Sequence, residues 1–121
     1  MMYDIDVQAP EVMAGGRCSL KSDVYSLGCV IHELISGKPP FTANSPAELL
    51  QRHLRAKPPP LTVADKNVKP EFAAYVQRLM SKDPQDRPAS MKDVQMEIRG
   101  QKVFYHPPKI LDDHSAEEGE D

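Results

Sequence analysis

Two short strings in the sequence resemble chemical motifs, and neither is complete. His32 and Glu33 begin a string like the zinc-binding HExxH helix, but Ser36 stands where the second histidine should be, so the pattern lacks one of its two imidazole ligands. Gly37 and Lys38 resemble the end of a phosphate-binding loop, yet no glycine lies five residues before Gly37 and a proline follows Lys38. We therefore expect neither a zinc site nor a phosphate loop here.

The other candidate ligands are isolated along the chain. His53, His106 and His114 show no repeated spacing, and Cys18 and Cys29 fit neither a disulfide framework nor a metal-binding pair. We expect these histidines to lie on the surface, and we expect no catalytic, cofactor-binding or metal-binding residues. The cysteine usage favours a reducing compartment, which predicts a cytoplasmic location.

Size and charge exclude several classes of function. The chain has 121 residues, the size of one domain. Six of its 18 acidic residues lie in the last ten positions; without them the net charge changes from −3 to 15 − 12 = +3. Neither value is typical of a nucleic-acid-binding domain. No apolar run approaches the ~18 residues of a membrane span. We expect no nucleic-acid partner and no membrane insertion.

Prolines and glycines divide the sequence into four predicted helices, and no strand-like alternation is long enough to compete. The first helix is predicted from about Ser22 to Ser36, with Ser22 or Asp23 as N-cap and Gly37 as the stop. Apolar residues occur on all its sides, which is typical of a helix enclosed on all sides. The sequence therefore predicts an all-α fold with this helix at its centre.

The other three predicted helices are shorter. The second, from Pro46 to about Ala56, has a thin apolar face and should lie on the surface. The third begins near Pro70 and is amphipathic, and the fourth runs from Ser90 to Gly100. The expected inward residues of the second helix are Ala47, Leu50 and Leu54. Those of the third are Phe72, Tyr75, Val76, Leu79 and Met80, and those of the fourth are Met91, Val94 and Ile98.

Three motifs occur in a fixed order around these helices. The string Ala9-Pro10-Glu11 comes first, Asp23 opens the string DVYSLG twelve residues after Glu11, and Asp86-Arg87-Pro88 follows the third helix. Their order and spacing resemble the C-terminal lobe of the protein kinase family, especially its serine/threonine branch with its bacterial members. The resemblance implies a partial C-lobe in which three shorter helices surround a central apolar helix. Its structural signature is Ala9, Pro10, Glu11, Asp23, Gly28 and Arg87.

The resemblance also implies roles for these residues. Glu11 should form a buried ion pair with Arg87, a structural contact that a guanidinium can make with two parallel hydrogen bonds. Asp23 should accept hydrogen bonds from the catalytic loop of a complete kinase, although a simple N-cap is an open alternative. The four helices correspond to those lettered F, G, H and I. Helix G and the loop from Ala14 to Leu20 help to dock protein substrates and regulators in the family.

The resemblance predicts three segments. Residues 1–8 are a divergent lead, residues 9–102 are the partial kinase domain, and residues 103–121 are a proline-containing, acidic tail that we expect to be disordered.

The function that the resemblance implies is limited by what the sequence lacks. The family transfers the γ-phosphoryl group of ATP to protein hydroxyls with Mg²⁺, but the chain has no Gly-rich loop, no VAIK-like lysine, no HRD string and no DFG string. We therefore expect a truncated C-lobe portion of a serine/threonine kinase that is inactive alone, with ATP and Mg²⁺ belonging to the parent. The alternative is a stand-alone helical binding or regulatory module that uses the helix-G surface.

The expected partners follow from the central helix. In the family an upstream helix and the catalytic loop cover one of its sides, so Val30, Ile31 and Leu34 should be left exposed in this chain. We expect that side to be covered by a protein partner, by the missing part of the kinase or by a second copy of the chain.

Overall fold

The computed structural model describes residues 7–108. Within this range the chain is helical and has no β-strand, only one isolated bridge between Val68 and Phe104. The helices are α1 (Pro10–Met13), α2 (Leu20–Ser36), α3 (Pro46–Arg55), α4 (Leu61–Ala64), α5 (Pro70–Leu79) and α6 (Met91–Arg99), with a 3₁₀ turn at Pro84–Asp86. The predicted all-α class is confirmed.

The N-terminus of α2 differs from the prediction. Its N-cap is Ser19, whose hydroxyl accepts a hydrogen bond from the Ser22 backbone N–H, while the Ser22 hydroxyl accepts one from the Ser19 N–H at 2.6 Å. This reciprocal capping starts the helix at Leu20. The prediction that Ser22 or Asp23 is the N-cap was therefore wrong, but the helix does end at Gly37 in the left-handed conformation, as predicted.

The central helix α2 is enclosed on one side only. Val24, Tyr25 and Cys29 are fully buried, whereas Val30 is 42% exposed and Leu34 is 78% exposed. The buried side packs against α4, α5 and α6. The position of α2 is therefore determined by the helices that follow it in the sequence.

Gly28 allows α2 and α5 to approach closely. A Cβ atom at Gly28 would lie 2.8 Å from Met80 Cγ and 2.9 Å from Leu79 Cβ, closer than normal contact. The apolar stripe of α5 is buried at Phe72, Val76 and Leu79 and half-buried at Tyr75, and Met80, directly after the helix, is also buried, as predicted. The absence of a side chain at Gly28 thus sets the distance between the two helices.

The last helix, α6, covers the core with its middle part. Val94 is buried and Ile98 is half-buried against the core, both as predicted. Met91 is 40% exposed, so its predicted inward position was wrong. Met91 is the first helical residue, directly after the Ser90 N-cap and one turn before Val94, and the core does not extend that far.

The chain that follows α6 returns to the start of α5. The Lys69 N–H donates to the Val103 carbonyl at 2.8 Å, and the Tyr105 N–H donates to the Asn67 carbonyl at 2.8 Å. Phe104 is half-buried against the core. The prediction of a disordered tail from residue 103 onwards was therefore wrong for residues 103–106, where apolar side chains add to the core. Residues 1–6 and the acidic segment 109–121 lie outside the described residues.

None of the helices within residues 7–108 is long and apolar enough to cross a membrane.

Candidate functional site

The most highly connected polar group in the described part of the chain is the Arg87 guanidinium. It donates two parallel hydrogen bonds to the Glu11 carboxylate, from Nη1 to Oε2 at 2.7 Å and from Nη2 to Oε1 at 2.9 Å. The Arg87 side chain is fully buried, and the Glu11 side chain is 28% exposed. This is the two-pronged geometry in which a planar guanidinium binds a carboxylate most strongly.

Three backbone carbonyls accept the other N–H groups of Arg87. Nε donates to the Ser81 carbonyl at 2.7 Å, Nη1 to the Lys21 carbonyl at 2.9 Å and Nη2 to the Lys82 carbonyl at 3.3 Å. All five guanidinium donors are therefore satisfied. The guanidinium also lies over the Tyr25 ring, 4.9 Å from its centroid. One side chain thus joins α1, the start of α2 and the loop that follows α5.

The environment of Glu11 favours its charged form. Burial by itself raises the pKa of this carboxyl, but the Arg87 hydrogen bonds, a backbone hydrogen bond and the positive charge of Arg87 together lower it below its ordinary value. Glu11 is the second residue of α1, after Pro10, so its carboxylate lies at the N-terminal end of this helix. We conclude that the pair stays ionised and acts as a structural clamp.

A second buried contact connects α2 to α3. The Tyr25 hydroxyl lies 2.7 Å from His53 Nδ1, and both side chains are fully buried. Burial raises the pKa of Tyr25, so the phenol stays neutral. The Phe41 ring meets the His53 ring edge-on at 4.9 Å. His53 therefore anchors α3 to the core through its contact with the Tyr25 hydroxyl and its packing against the Phe41 ring.

The prediction that His53 lies on the surface was wrong. The buried face of α3 is formed by Leu49 and His53, whereas Ala47 is exposed and Leu50 and Leu54 are only half-buried. Leu49 and His53 are four residues apart and lie on one side of the helix. That spacing is a usable signal, but it identifies the buried face only if histidine is accepted as a core residue.

The other histidine of interest, His32, also has a structural contact. Its Nε2 atom lies 3.0 Å from the Pro59 carbonyl, and Nδ1 lies 3.3 Å from the Ser36 hydroxyl. These contacts connect the C-terminal end of α2 to the proline-rich segment before α4. His32, the first residue of the incomplete HExxH string, therefore has a structural role.

The remaining signature residues lie around the clamp. Ala9 is buried and is the residue before α1, and Gly28 lies at the crossing of α2 and α5. Asp23 is exposed in the first turn of α2, and the cap is provided by Ser19. The role of Asp23 as an acceptor for a catalytic loop stays a prediction.

The expectation that this chain itself holds neither ATP nor Mg²⁺ stays a prediction. Across residues 7–108, no three His, Cys, Asp or Glu side chains are placed to share a metal ion. The full sequence also lacks the Gly-rich loop and the HRD and DFG strings that hold ATP and Mg²⁺ in kinases. No chemical step through that cofactor can be derived from these residues.

Comparison with known proteins identifies the same family as the motifs. The family model described as protein kinase domain matches residues 2–98. The serine/threonine-protein kinase PknB of Mycolicibacterium smegmatis is 34% identical over 107 residues, which cover 87% of this chain and 17% of that protein. The serine/threonine-protein kinase PknH of Mycobacterium bovis is 36% identical over 86 residues, covering 71% of this chain and 14% of that protein.

The chain thus spans less than a fifth of the length of these curated relatives. The predicted resemblance to bacterial serine/threonine kinases is confirmed. Taken with the ordered motifs and the helical fold, these matches show that the chain belongs to the protein kinase family.

Proposed function

We propose that this chain is a C-lobe portion of a serine/threonine protein kinase whose complete form transfers the ATP γ-phosphoryl group to protein hydroxyls. The observation that carries the proposal is the Arg87 clamp, which fixes the Ala9-Pro10-Glu11 element against the central helix. In kinases this element closes the activation segment. The role of these residues is therefore to support a substrate-binding segment.

The proposal assigns ATP and Mg²⁺ to the parent kinase. We expect the residues of this chain to hold neither, since the motifs that bind phosphates and metal in kinases are not found in its sequence. We therefore expect the isolated chain to be catalytically inactive, and we expect the parent kinase to act in the cytoplasm.

The supporting role can be tested with a chimera. Residues 9–106 of this chain would replace the corresponding segment in the kinase domain of PknB, and phosphotransfer from Mg²⁺-ATP to a protein substrate would be measured. We expect an active chimera in which Arg87→Ala lowers the activity by at least tenfold, because the clamp holds the activation segment. Arg78→Ala is the matched control, since its ion pair with Glu97 is exposed on both sides. A folded chimera without activity would contradict the proposal.

The inactivity of the isolated chain is tested separately. The purified chain would be incubated with Mg²⁺-ATP and a protein substrate, with the PknB kinase domain as the positive control. We expect no phosphotransfer above the background of the mixture without chain. A rate that rises in proportion to chain concentration and co-purifies with it would overturn the assignment.

A second candidate function is a binding module that uses the surface of α3. On this helix Gln51, Arg52 and Arg55 are exposed. Arg52 pairs with Glu48 at 3.2 Å, with both side chains partly exposed, and Arg55 Nε donates to Gln51 Oε1 at 3.1 Å. Such a face is free to contact a protein with acidic groups. If the chain is a module, it should inhibit an active PknB kinase domain by competing for its substrate, and Arg52→Glu with Arg55→Glu should abolish inhibition. Arg99→Glu, on α6, is the control, and absence of inhibition would exclude this candidate.

The partners in the proposal are proteins. The exposed apolar side of α2, on which Leu34 is the most exposed large residue, should be covered by the rest of a kinase or by another protein surface. In the isolated chain we expect a second copy of the chain to cover this side of α2, so that self-association can be measured as a test.

A further inference from the structure

A serine in the middle of the central helix makes a contact outside that helix. The Ser26 hydroxyl donates a hydrogen bond to the Val7 carbonyl at 2.6 Å, across 19 positions of the chain. A serine inside a helix ordinarily points to solvent or donates to the carbonyl one turn before it. Ser36, at the end of the same helix, does the latter and donates to the His32 carbonyl at 2.7 Å. The Ser26 hydroxyl is therefore used for a tertiary contact and not for a local one.

The accepting residue, Val7, lies just before the Ala9-Pro10-Glu11 element and packs against the core. At the other end of this stretch, Arg87 binds the Glu11 carboxylate and also the Lys21 carbonyl at the start of α2. Lys21 and Ser26 are five residues apart, which corresponds to about 7.5 Å along a helix axis. Residues 7–11 are therefore fastened to α2 at two separate points.

The two anchors act on different ends of residues 7–11. The Arg87 clamp holds Glu11, but residues 8–10 lie between Glu11 and Val7, and each adds backbone dihedral angles that the clamp does not control. The Ser26 hydrogen bond holds the peptide group between Val7 and Gln8. The position of the chain at Val7 is therefore set by Ser26 and not by the clamp alone.

We propose that Ser26 is a positioning residue for the protein substrate, an inference that rests on the proposed function. In that function the stretch that ends at Ala9-Pro10-Glu11 is the substrate-binding part of the activation segment, and Ser26 acts on it through the Val7 carbonyl. In this role Ser26 contacts neither ATP nor the reacting hydroxyl. Loss of its hydroxyl therefore weakens substrate binding and leaves the chemical step unchanged.

The contact itself is tested in the complete chain by hydrogen–deuterium exchange and mass spectrometry. Ser26→Ala leaves the Val7 carbonyl without its donor, so a peptide covering residues 7–13 should exchange about threefold faster than in the parent. Peptides from α5 and α6 should exchange at the parent rate. Ser36→Ala is the matched control, because its hydroxyl bonds within its own end of α2. Unchanged exchange of residues 7–13 in Ser26→Ala, or an equal acceleration across the whole chain, would overturn the proposal.

The effect on the substrate is tested in the PknB chimera, with residues 7–106 transferred so that both partners of the hydrogen bond come from this chain. Ser26→Ala should raise KM for the protein substrate about fivefold, the effect of one lost hydrogen bond, and leave kcat and KM for ATP unchanged. Ser26→Thr keeps the hydroxyl and should return KM to within about twofold of the parent chimera. Ser36→Ala should match the parent chimera in all of these constants.

The outcomes separate this inference from the proposed function. A folded parent chimera without activity would contradict the proposed function and this inference with it. An active parent chimera whose KM for the protein substrate is unchanged by Ser26→Ala would overturn this inference alone. A lower kcat with an unchanged KM would do the same, because Ser26 would then act on the chemical step. So would a Ser26→Thr chimera as impaired as Ser26→Ala, since the effect would then not depend on the hydroxyl.

Discussion

The Arg87 side chain combines electrostatics with backbone hydrogen bonding at one position. Its guanidinium binds one carboxylate and three carbonyls, and it is fully buried. The pairing with Glu11 could be anticipated from the motifs and the resemblance. The carbonyls of Lys21, Ser81 and Lys82 could not, because carbonyl positions depend on the path of the backbone and not on residue type.

Replacement of Arg87 by alanine should strongly destabilise the fold. The change leaves a partly buried carboxylate and three carbonyls without their donor, and we expect a loss of about 3 kcal/mol in the free energy of unfolding. The measurement is urea denaturation followed by circular dichroism. The control Arg78→Ala removes an ion pair that is exposed on both sides and should cost less than about 1 kcal/mol. Equal losses for the two variants would show that burial of the clamp contributes nothing.

The Glu11 carboxyl predicts how stability changes with pH. Its pKa is lower in the folded chain than the ordinary value of 4.5, so its charge stabilises the fold above that pH and the contribution is lost on acidification through the folded pKa. The urea midpoints of the parent and of Glu11→Gln should therefore differ at neutral pH and converge below about pH 4.5. A difference that stays constant or grows in acid would contradict this assignment.

At the scale of the elements, the sequence contained more information about helix positions than about their contacts. Proline, serine and glycine at helix ends correctly located α3, α5 and α6 to within a residue or two. The side of α3 that is buried was mispredicted, because His53 provides a polar atom that pairs with Tyr25 inside the core. Such pairing is a tertiary property: the spacing of Leu49 and His53 defines one side of the helix, but the sequence alone does not show that the side with a histidine is the buried one.

The short helices α1 and α4 were not predicted from the sequence. The helices α1 and α4 have four residues each, too few for an apolar period to be recognised. The packing of residues 103–106 depends on a bridge to Val68, which is distant in the sequence. Contacts of this kind are decided by the shape of the assembled core.

The close crossing of α2 and α5 predicts the effect of Gly28→Ala. The added methyl would collide with Leu79 Cβ and Met80 Cγ, and the strain of about 1–3 kcal/mol should exceed the gain in helix propensity of about 1 kcal/mol. We expect a lower thermal midpoint for Gly28→Ala. Gly100→Ala, where a Cβ meets no atom within 4 Å, is the control. A stabilised Gly28→Ala chain would mean that the helices can separate without loss.

For the whole molecule, the main feature is an incomplete cover over α2. Leu34 on α2 is 78% exposed and Val63 on α4 is 75% exposed. Large side chains that stay in water each forgo about 1.5–3 kcal/mol of burial, which is large compared with a typical domain stability of about 5–15 kcal/mol. The isolated chain should therefore be marginally stable and prone to self-association.

This expectation can be measured directly. The isolated chain should bind a dye specific for apolar surface and sediment above its monomer mass of 13.5 kDa. The double variant Val30→Gln with Leu34→Gln should lower both signals, because it removes the apolar side of α2. Met96→Gln, at a residue on α6 that is 63% exposed, is the control. A parent chain that is monomeric, melts sharply and binds no dye would contradict the prediction.

The residues of the clamp, Glu11 and Arg87, are 76 positions apart in the chain. Helical turns form quickly from neighbouring residues, whereas a contact over that distance must wait until most of the chain has collapsed. The contact should therefore be weak or absent in the folding transition state and complete in the native state. Its energy then slows unfolding and hardly affects the speed of folding, so the clamp prolongs the lifetime of the assembled helices.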